Sequence, residues 1–156
     1  MSSKPLPTQS LLELIDLFEQ SGQPIADGDG QRLHGVPGWD LSRKLSLSDH
    51  DLAAWTECVG YAGCYPAPCR DERILVDIEE DADPGRYRYR CPETFRVKYI
   101  SAETAAVRAV TATKLLNYLA DLMDIPQALR RGITTAAIDD VLWHLGKMRI
   151  GQVHVD

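Results

Sequence analysis

The sequence predicts an α+β fold, a three-stranded antiparallel sheet packed against a long helix and a C-terminal helix with a terminal β-segment. Three observations predict it. Residues 74–99 alternate apolar and charged positions in three short runs, the pattern of half-buried strands. Residues 11–18 and 102–124 instead space their apolar side chains as helices do. The 156-residue chain is 44% hydrophobic and 26% charged, enough to bury a core and too apolar for disorder.

At the amino-terminal end, Leu11, Leu14, Ile15, Leu17 and Phe18 interleave with Glu13, Asp16 and Glu19 as a short amphipathic helix stopped by Ser21 and Gly22. The stretch to Lys44 is rich in glycine and proline and reads as an irregular loop with a short strand near Leu33, anchored by Trp39. Ser48 and Asp51 form a capping box, and Leu52, Trp55 and Val59 share one face of a helix ending near Gly60. Cys64, Pro66, Pro68 and Cys69 lie in a Pro-rich turn. Three strands follow, on Ile74–Ile78, Arg86–Arg90 and Phe95–Tyr99, with Asp83-Pro84-Gly85 turning between the first two. Ser101 caps a long helix from Ala102 to about Asp124, interrupted at Pro126. A last helix, with Ile138, Val141, Leu142 and Leu145 on its apolar side, is closed by Gly146 and followed by the β-segment of Met148, Ile150, Val153 and Val155.

These elements make one domain, 1–156, in three stretches: helix and loop at 1–46, a cysteine-rich hairpin region at 47–100, and a helical region at 101–156. The apolar pattern still running at Asp156 marks the chain as a candidate fragment of a longer protein. No apolar run approaches the about 20 residues of a membrane span, and the polar start of the chain lacks the pattern of a signal peptide. A cytoplasmic, reducing location is therefore expected, where disulfides rarely persist. A net charge of -6 disfavours a protein that simply coats nucleic acid.

The four cysteines are Cys58, Cys64, Cys69 and Cys91. Three lie just before the expected hairpin and the fourth just after its second strand, so the hairpin brings Cys91 back toward Cys64 and Cys69. Thiolates at the two ends of a hairpin resemble a zinc ribbon over residues 58–99, and Cys91-Pro92 resembles the start of its second knuckle. The spacing departs from that family: the first group is Cys-x5-Cys-x4-Cys, and Thr94 stands where a second knuckle cysteine belongs. The resemblance implies one structural zinc held by Cys58, Cys64, Cys69 and Cys91, or by three of them with His50. Arg70, Arg73 and Arg90 would offset part of the thiolate charge. Buried free thiols are the competing reading.

Arg86, Arg88, Arg90, Arg96 and Lys98 occupy even-numbered positions, giving a basic sheet surface suited to a phosphate backbone. Tyr87, Tyr89, Phe95, Val97 and Tyr99 then form the opposite, core face. Asp77, Glu79, Glu80, Asp81 and Asp83 are placed to neutralise Arg86, Arg88 and Arg90 across the hairpin, leaving Arg96 and Lys98 unpaired. The order of the C-terminal elements is that of a winged helix, although Asp139 and Asp140 on its last helix would repel phosphates.

His34, His50, His144 and His154 are scattered, and neither a nucleophile elbow nor a phosphate-binding loop is present. Asp27-Gly28-Asp29-Gly30 fails as a calcium loop, since Arg32 stands where glycine is required. The expected function is that of a non-enzymatic regulatory or adaptor protein supported by zinc, binding a protein or nucleic-acid partner and no identified small molecule. The alternatives are a winged-helix-like DNA-binding regulator and a cysteine- or metal-dependent enzyme.

Overall fold

The computed structural model describes residues 5–20, 24–44, 46–69, 72–130, 148–150 and 153–155. The expected helix stop at Ser21-Gly22, the counter-charge Arg70 and the helix at 135–145 lie outside the described residues. Two compact units divide the chain between Val110 and Thr111. The fold is mixed α+β with several small antiparallel sheets. Among the described residues no helix is long and apolar enough to cross a membrane.

In the first unit, helix α1 (Thr8–Gln20) buries Ser10, Leu14 and Leu17, one stripe at helical spacing. Strands β1 (Pro24–Ala26) and β2 (Arg32–His34) form a hairpin. The Asp27 carboxylate accepts the N–H groups of Asp29 and Gln31 at 2.9 and 2.8 Å, so the Asp-Gly-Asp-Gly run is a self-bonded turn. Strand β3 (Val36–Pro37) leads into α2 (Gly38–Lys44).

Helix α3 (Asp49–Trp55) starts as its capping box predicts, with Ser48 Oγ accepting the Asp51 N–H at 3.1 Å. It stops at Trp55 rather than near Gly60. The Thr56 hydroxyl bonds back to the Leu52 carbonyl, and the chain continues as strand β4 (Thr56–Tyr61). Val59 is thus a strand residue and leaves the helical face assigned to it.

Strand β5 (Cys64–Cys69) occupies the segment expected to be a turn. Pro66 and Pro68 stand two apart, so both missing donors fall on the same edge. That edge can face away from β6 (Glu72–Asp77), the one neighbour of β5 among the described residues. The run at Ile74–Asp77 therefore pairs with the cysteine segment instead of with the arginine strand. The three-stranded sheet is built from β7 (Glu79–Glu80), β8 (Arg86–Arg90) and β9 (Val97–Ser101), in that order.

The long helix expected at 102–124 is divided. Ser101 does cap a helix, α4, but it covers only Ala102–Ala105. Residues Ala106–Val110 form β10, the centre of the sheet β3-β10-β4. Pairing on both sides satisfies the backbone of β10, and Val107 is fully buried, so tertiary structure overrides alanine's helical preference. Opposite β10, Gly60 pairs with Val107 and Cys58 with Arg108, leaving Val59 as the extra residue of a bulge.

The sheet β7-β8-β9 and the β5–β6 hairpin share a core of Ala67, Ile78, Tyr89 and Ala105, flanked by Tyr65, Val76, Tyr87 and Ile100. Tyr65 lies 5.5 Å from Tyr89, and Trp39, a residue of α2 rather than of a loop, packs edge-on to Tyr65 at 5.5 Å.

In the second unit, α5 (Ala112–Leu122) buries Leu115, Leu116, Tyr118 and Ala120. Past its end, the Arg130 guanidinium pairs with Asp121 and donates to the Ile125 carbonyl at 2.8 and 2.9 Å. Strands β11 (Met148–Ile150) and β12 (Val153–Val155) form the expected terminal β-segment.

Gly38 marks the closest approach of α2 to α4. A Cβ there would lie 1.9 Å from the Glu103 carbonyl oxygen and 2.9 Å from that of Thr104. Gly38→Ala is expected to destabilise the protein by about 1–3 kcal/mol, read as a lowered urea midpoint. An unchanged midpoint would contradict this packing.

Candidate functional site: the β8–β9 sheet and its thiol pair

The site is organised by the turn from Cys91 to Arg96. The Cys91 N–H donates to the Arg96 carbonyl at 2.9 Å, and the Phe95 N–H donates to the Cys91 carbonyl at 2.8 Å. Four residues, Pro92 to Phe95, are enclosed, and Phe95 takes the left-handed conformation that lets such a loop close, with φ of 59°. The turn fixes the register of β8 on β9, setting Arg86 opposite Ser101, Arg88 opposite Tyr99, Tyr89 opposite Lys98 and Arg90 opposite Val97.

Residues directly opposite one another share a face of the sheet. Arg86, Arg88 and Arg90 therefore share theirs with Val97 and Tyr99, while Lys98 falls on the tyrosine side. The expected surface of even-numbered cations is broken at the turn, because the register sets even positions of β8 against odd positions of β9. Phe95, Val97 and Tyr99, expected in the core, are instead 70%, 45% and 50% exposed. These three are the functional candidates that the alternating pattern missed. The available signal was the length of the Pro92–Phe95 loop, which decides the register.

Cross-strand pairing neutralises two of the arginines, as the acidic run suggests. Arg86 pairs with Asp81 and, at 2.9 Å, with Asp83; Arg88 pairs with Glu79 at 2.8 Å and reaches Asp81 at 3.8 Å. The Arg86 guanidinium also lies 4.1 Å from the Tyr99 ring centroid. The hydrogen bond from Arg86 holds the Asp81 carboxyl below the usual carboxylate range, and the same bond raises Arg86. Arg90 donates to the Phe95 carbonyl at 3.1 Å, bracing the turn. Among the described residues, Arg96 and Lys98 form no ion pair.

The four cysteines are not brought to one point. Cys58 is exposed on β4, its thiol 3.4 Å from the Gly60 carbonyl. Cys64 sits on β5 with its thiol 3.2 Å from the Asp77 carboxylate opposite; partial burial and that carboxylate push its pKa up. Cys69 ends β5 and Cys91 follows β8, on the sides of those strands that face the shared core. Their sulfurs are 4.0 Å apart, and the residues are 6% and 2% exposed. The thiols differ in acidity. Hydrogen bonds from the Thr94 N–H and hydroxyl and from the Glu93 N–H lower the Cys91 pKa to about 7. Burial, then the neighbouring Cys91, raises that of Cys69. Among the described residues no group of three or more His, Cys, Asp or Glu side chains is placed to hold a metal ion. His50 lies on α3, exposed.

Because the folded-state pKa of Asp81 is depressed, its stabilising contribution is complete above the ordinary carboxylate pKa of about 4 and is lost as pH falls through the folded value. Asp81→Asn should lower the urea midpoint at neutral pH, with the difference from the unaltered protein closing under acid conditions. A pH-independent difference would show that charge pairing is not the cause. Comparison of the chain with family models, curated proteins and solved structures finds no match to any of them.

Proposed function

We propose that the chain is a non-enzymatic adaptor or regulatory protein that binds an extended, acidic segment of a partner protein along the free edge of β9. The observation that carries this reading is the phasing of backbone hydrogen bonds. The Cys91–Arg96 bond and the Ala102 N–H to Gly85 carbonyl bond, both 2.9 Å, bracket the strand. Between them the backbone groups of Lys98 and Ile100 turn toward β8, and those of Val97, Tyr99 and Ser101 turn away. Among the described residues no strand pairs with β9 on that side. Such an edge is a template for one more strand.

The side chains beside the edge support the same reading. Exposed Phe95 carries two costs, an apolar ring in water and a left-handed backbone that costs about 1–2 kcal/mol for a residue with a Cβ. Strain of this kind is concentrated at binding sites. Tyr99 and Arg90 add the aromatic and arginine character common at protein interfaces, and exposed Val97 adds apolar surface. Arg96 and Lys98 favour carboxylates on the partner. A duplex is the weaker candidate, because Arg86 and Arg88 are already paired and the net charge of the chain is -6.

Amide exchange in the free protein should be fast at Val97 and Tyr99 and slow at Lys98 and Ile100. A fluorescein-labelled peptide alternating glutamate and valine should bind in a salt-sensitive manner. Tyr99→Pro, which removes an outward N–H, should weaken that binding about tenfold, and more than Tyr99→Thr does. Phe95→Gly should raise stability by about 1 kcal/mol while weakening binding. Peptide affinity unchanged by Tyr99→Pro, or tighter binding of a labelled DNA duplex, would contradict the proposal.

A second reading keeps the zinc-ribbon-like knuckle, with Cys69 and Cys91 as two ligands of a structural zinc. Two thiolates of a tetrahedral site with bonds of about 2.3 Å stand about 3.8 Å apart, close to the 4.0 Å between these sulfurs. The remaining ligands would have to come from outside the described residues or from movement of Cys58 and Cys64. One zinc per chain in protein purified without added metal, abolished by Cys69→Ala, would support it; metal-free protein would remove it.

A further inference from the structure

We propose that β6 is a self-pairing edge through which two copies of this chain join as an antiparallel dimer, with Leu75 opposite Leu75 of the second copy and Arg73 opposite its Asp77. The inference is independent of strand addition at β9.

The two edges of the β5–β6 hairpin differ. The Ile78 N–H donates to the Gly63 carbonyl at 3.0 Å, one step beyond the paired Cys64 and Asp77. Hydrogen-bonded pairs recur at every second position of an antiparallel ladder. The backbone groups of Ile74 and Val76 therefore turn toward β5, and those of Arg73, Leu75 and Asp77 turn away. The same phase sends the nitrogens of Pro66 and Pro68, opposite Leu75 and Arg73, to the outer edge of β5. That edge lacks those donors and is blunted against a further strand. The β6 strand has no proline, and among the described residues no strand pairs with its outer side.

The side chains of β6 suit a copy of itself. Leu75 is 69% exposed and Ile74 40%, an apolar run on an open edge. Arg73, Leu75 and Asp77 stand on the face away from the core, since Val76 between them packs against the shared core. The Asp77 carboxylate accepts the Cys64 thiol at 3.2 Å and keeps further lone pairs for an arginine. A twofold axis through Leu75 brings the outward backbone groups of two such strands into hydrogen-bonding phase. The same axis sets each Arg73 against the Asp77 of the other copy, an isologous contact. One step of this phase in either direction opposes Leu75 to Arg73 or to Asp77, and a second step opposes like charges. The register that pairs the backbone is thus also the one that matches charge and apolar surface. Strand β9, whose charged residue is Lys98, has no such match to itself. Two short strands bury less area than a standard stable interface, so a dissociation constant of about 10–100 μM is expected.

The test is sedimentation equilibrium of the full-length chain in reducing buffer, from about 1 μM to about 1 mM. The expected result is a monomer at the low end and a dimer at the high end. Arg73→Asp and Asp77→Arg should each raise the dissociation constant about tenfold or more. An equimolar mixture of these two variants should recover the original affinity as a heterodimer, because each reversed residue then meets an opposite charge. Leu75→Pro, whose lost N–H is not used by β5, should weaken the dimer more than Leu75→Thr does and leave the far-ultraviolet circular dichroism unchanged. A chain still monomeric at about 1 mM, charge variants that dimerise as well as the unaltered chain, or a mixture that recovers no affinity would overturn the proposal. So would a dimer lost with Tyr99→Pro and kept with Leu75→Pro, since the contact would then lie at β9.

Discussion

The hydrogen-bonded closure of the Cys91–Arg96 turn is the constraint on which the rest of this region depends. Enclosing four residues sets the sum of paired positions on β8 and β9, and hence which side chains share a face. The choice places Tyr87, Tyr89 and Ile100 against the β5–β6 hairpin, where Ala67 and Tyr65 meet them. It also turns Val97 and Tyr99 to the surface and aims their backbone groups away from β8. A shift of one residue would turn Val97 and Tyr99 toward the hairpin and move Lys98 and Ile100 to the arginine face. The turn also follows directly on Cys91, whose sulfur stands 4.0 Å from that of Cys69.

The fold class and the arginine strand were legible because alternation of Arg86–Arg90 with Tyr87 and Tyr89 is a local signal that burial then reinforces. The capping box at Ser48 and the charge pairs of Arg86 and Arg88 were legible for the same reason, since each depends on residues close in sequence. Alternation within β9 was also visible, but it could not say which of its two faces is buried. That depends on an offset of one residue in the turn, and hydrophobicity pointed the wrong way. Phe95 and Tyr99 look like core residues until the register sends them to solvent.

The larger misreadings have a different cause. Ala102–Val110 has the composition of a helix, and its conversion into the central strand β10 depends on β3 and β4, which lie far away in sequence. Cys64–Cys69 looks like a turn because its prolines forbid a helix, yet prolines two apart are compatible with an edge strand. Placing this segment on a strand separates Cys64 from Cys69, since successive side chains of a strand point to opposite faces. The sequence argument for convergence of all four cysteines assumed a turn at this point. With a strand there, Cys69 meets Cys91 while Cys64 faces Asp77.

The register itself is open to direct measurement by nuclear Overhauser contacts between α-protons across β8 and β9. Opposed residues that do not exchange backbone hydrogen bonds bring their α-carbons within about 4.5 Å, so their α-protons give strong contacts. The account predicts such contacts between Arg88 and Tyr99 and between Arg90 and Val97. Contacts from Arg88 to Lys98 and from Arg90 to Arg96 would mean that the cations share one face after all. That result would contradict the exposed aromatic edge and return the sheet to a continuous basic surface.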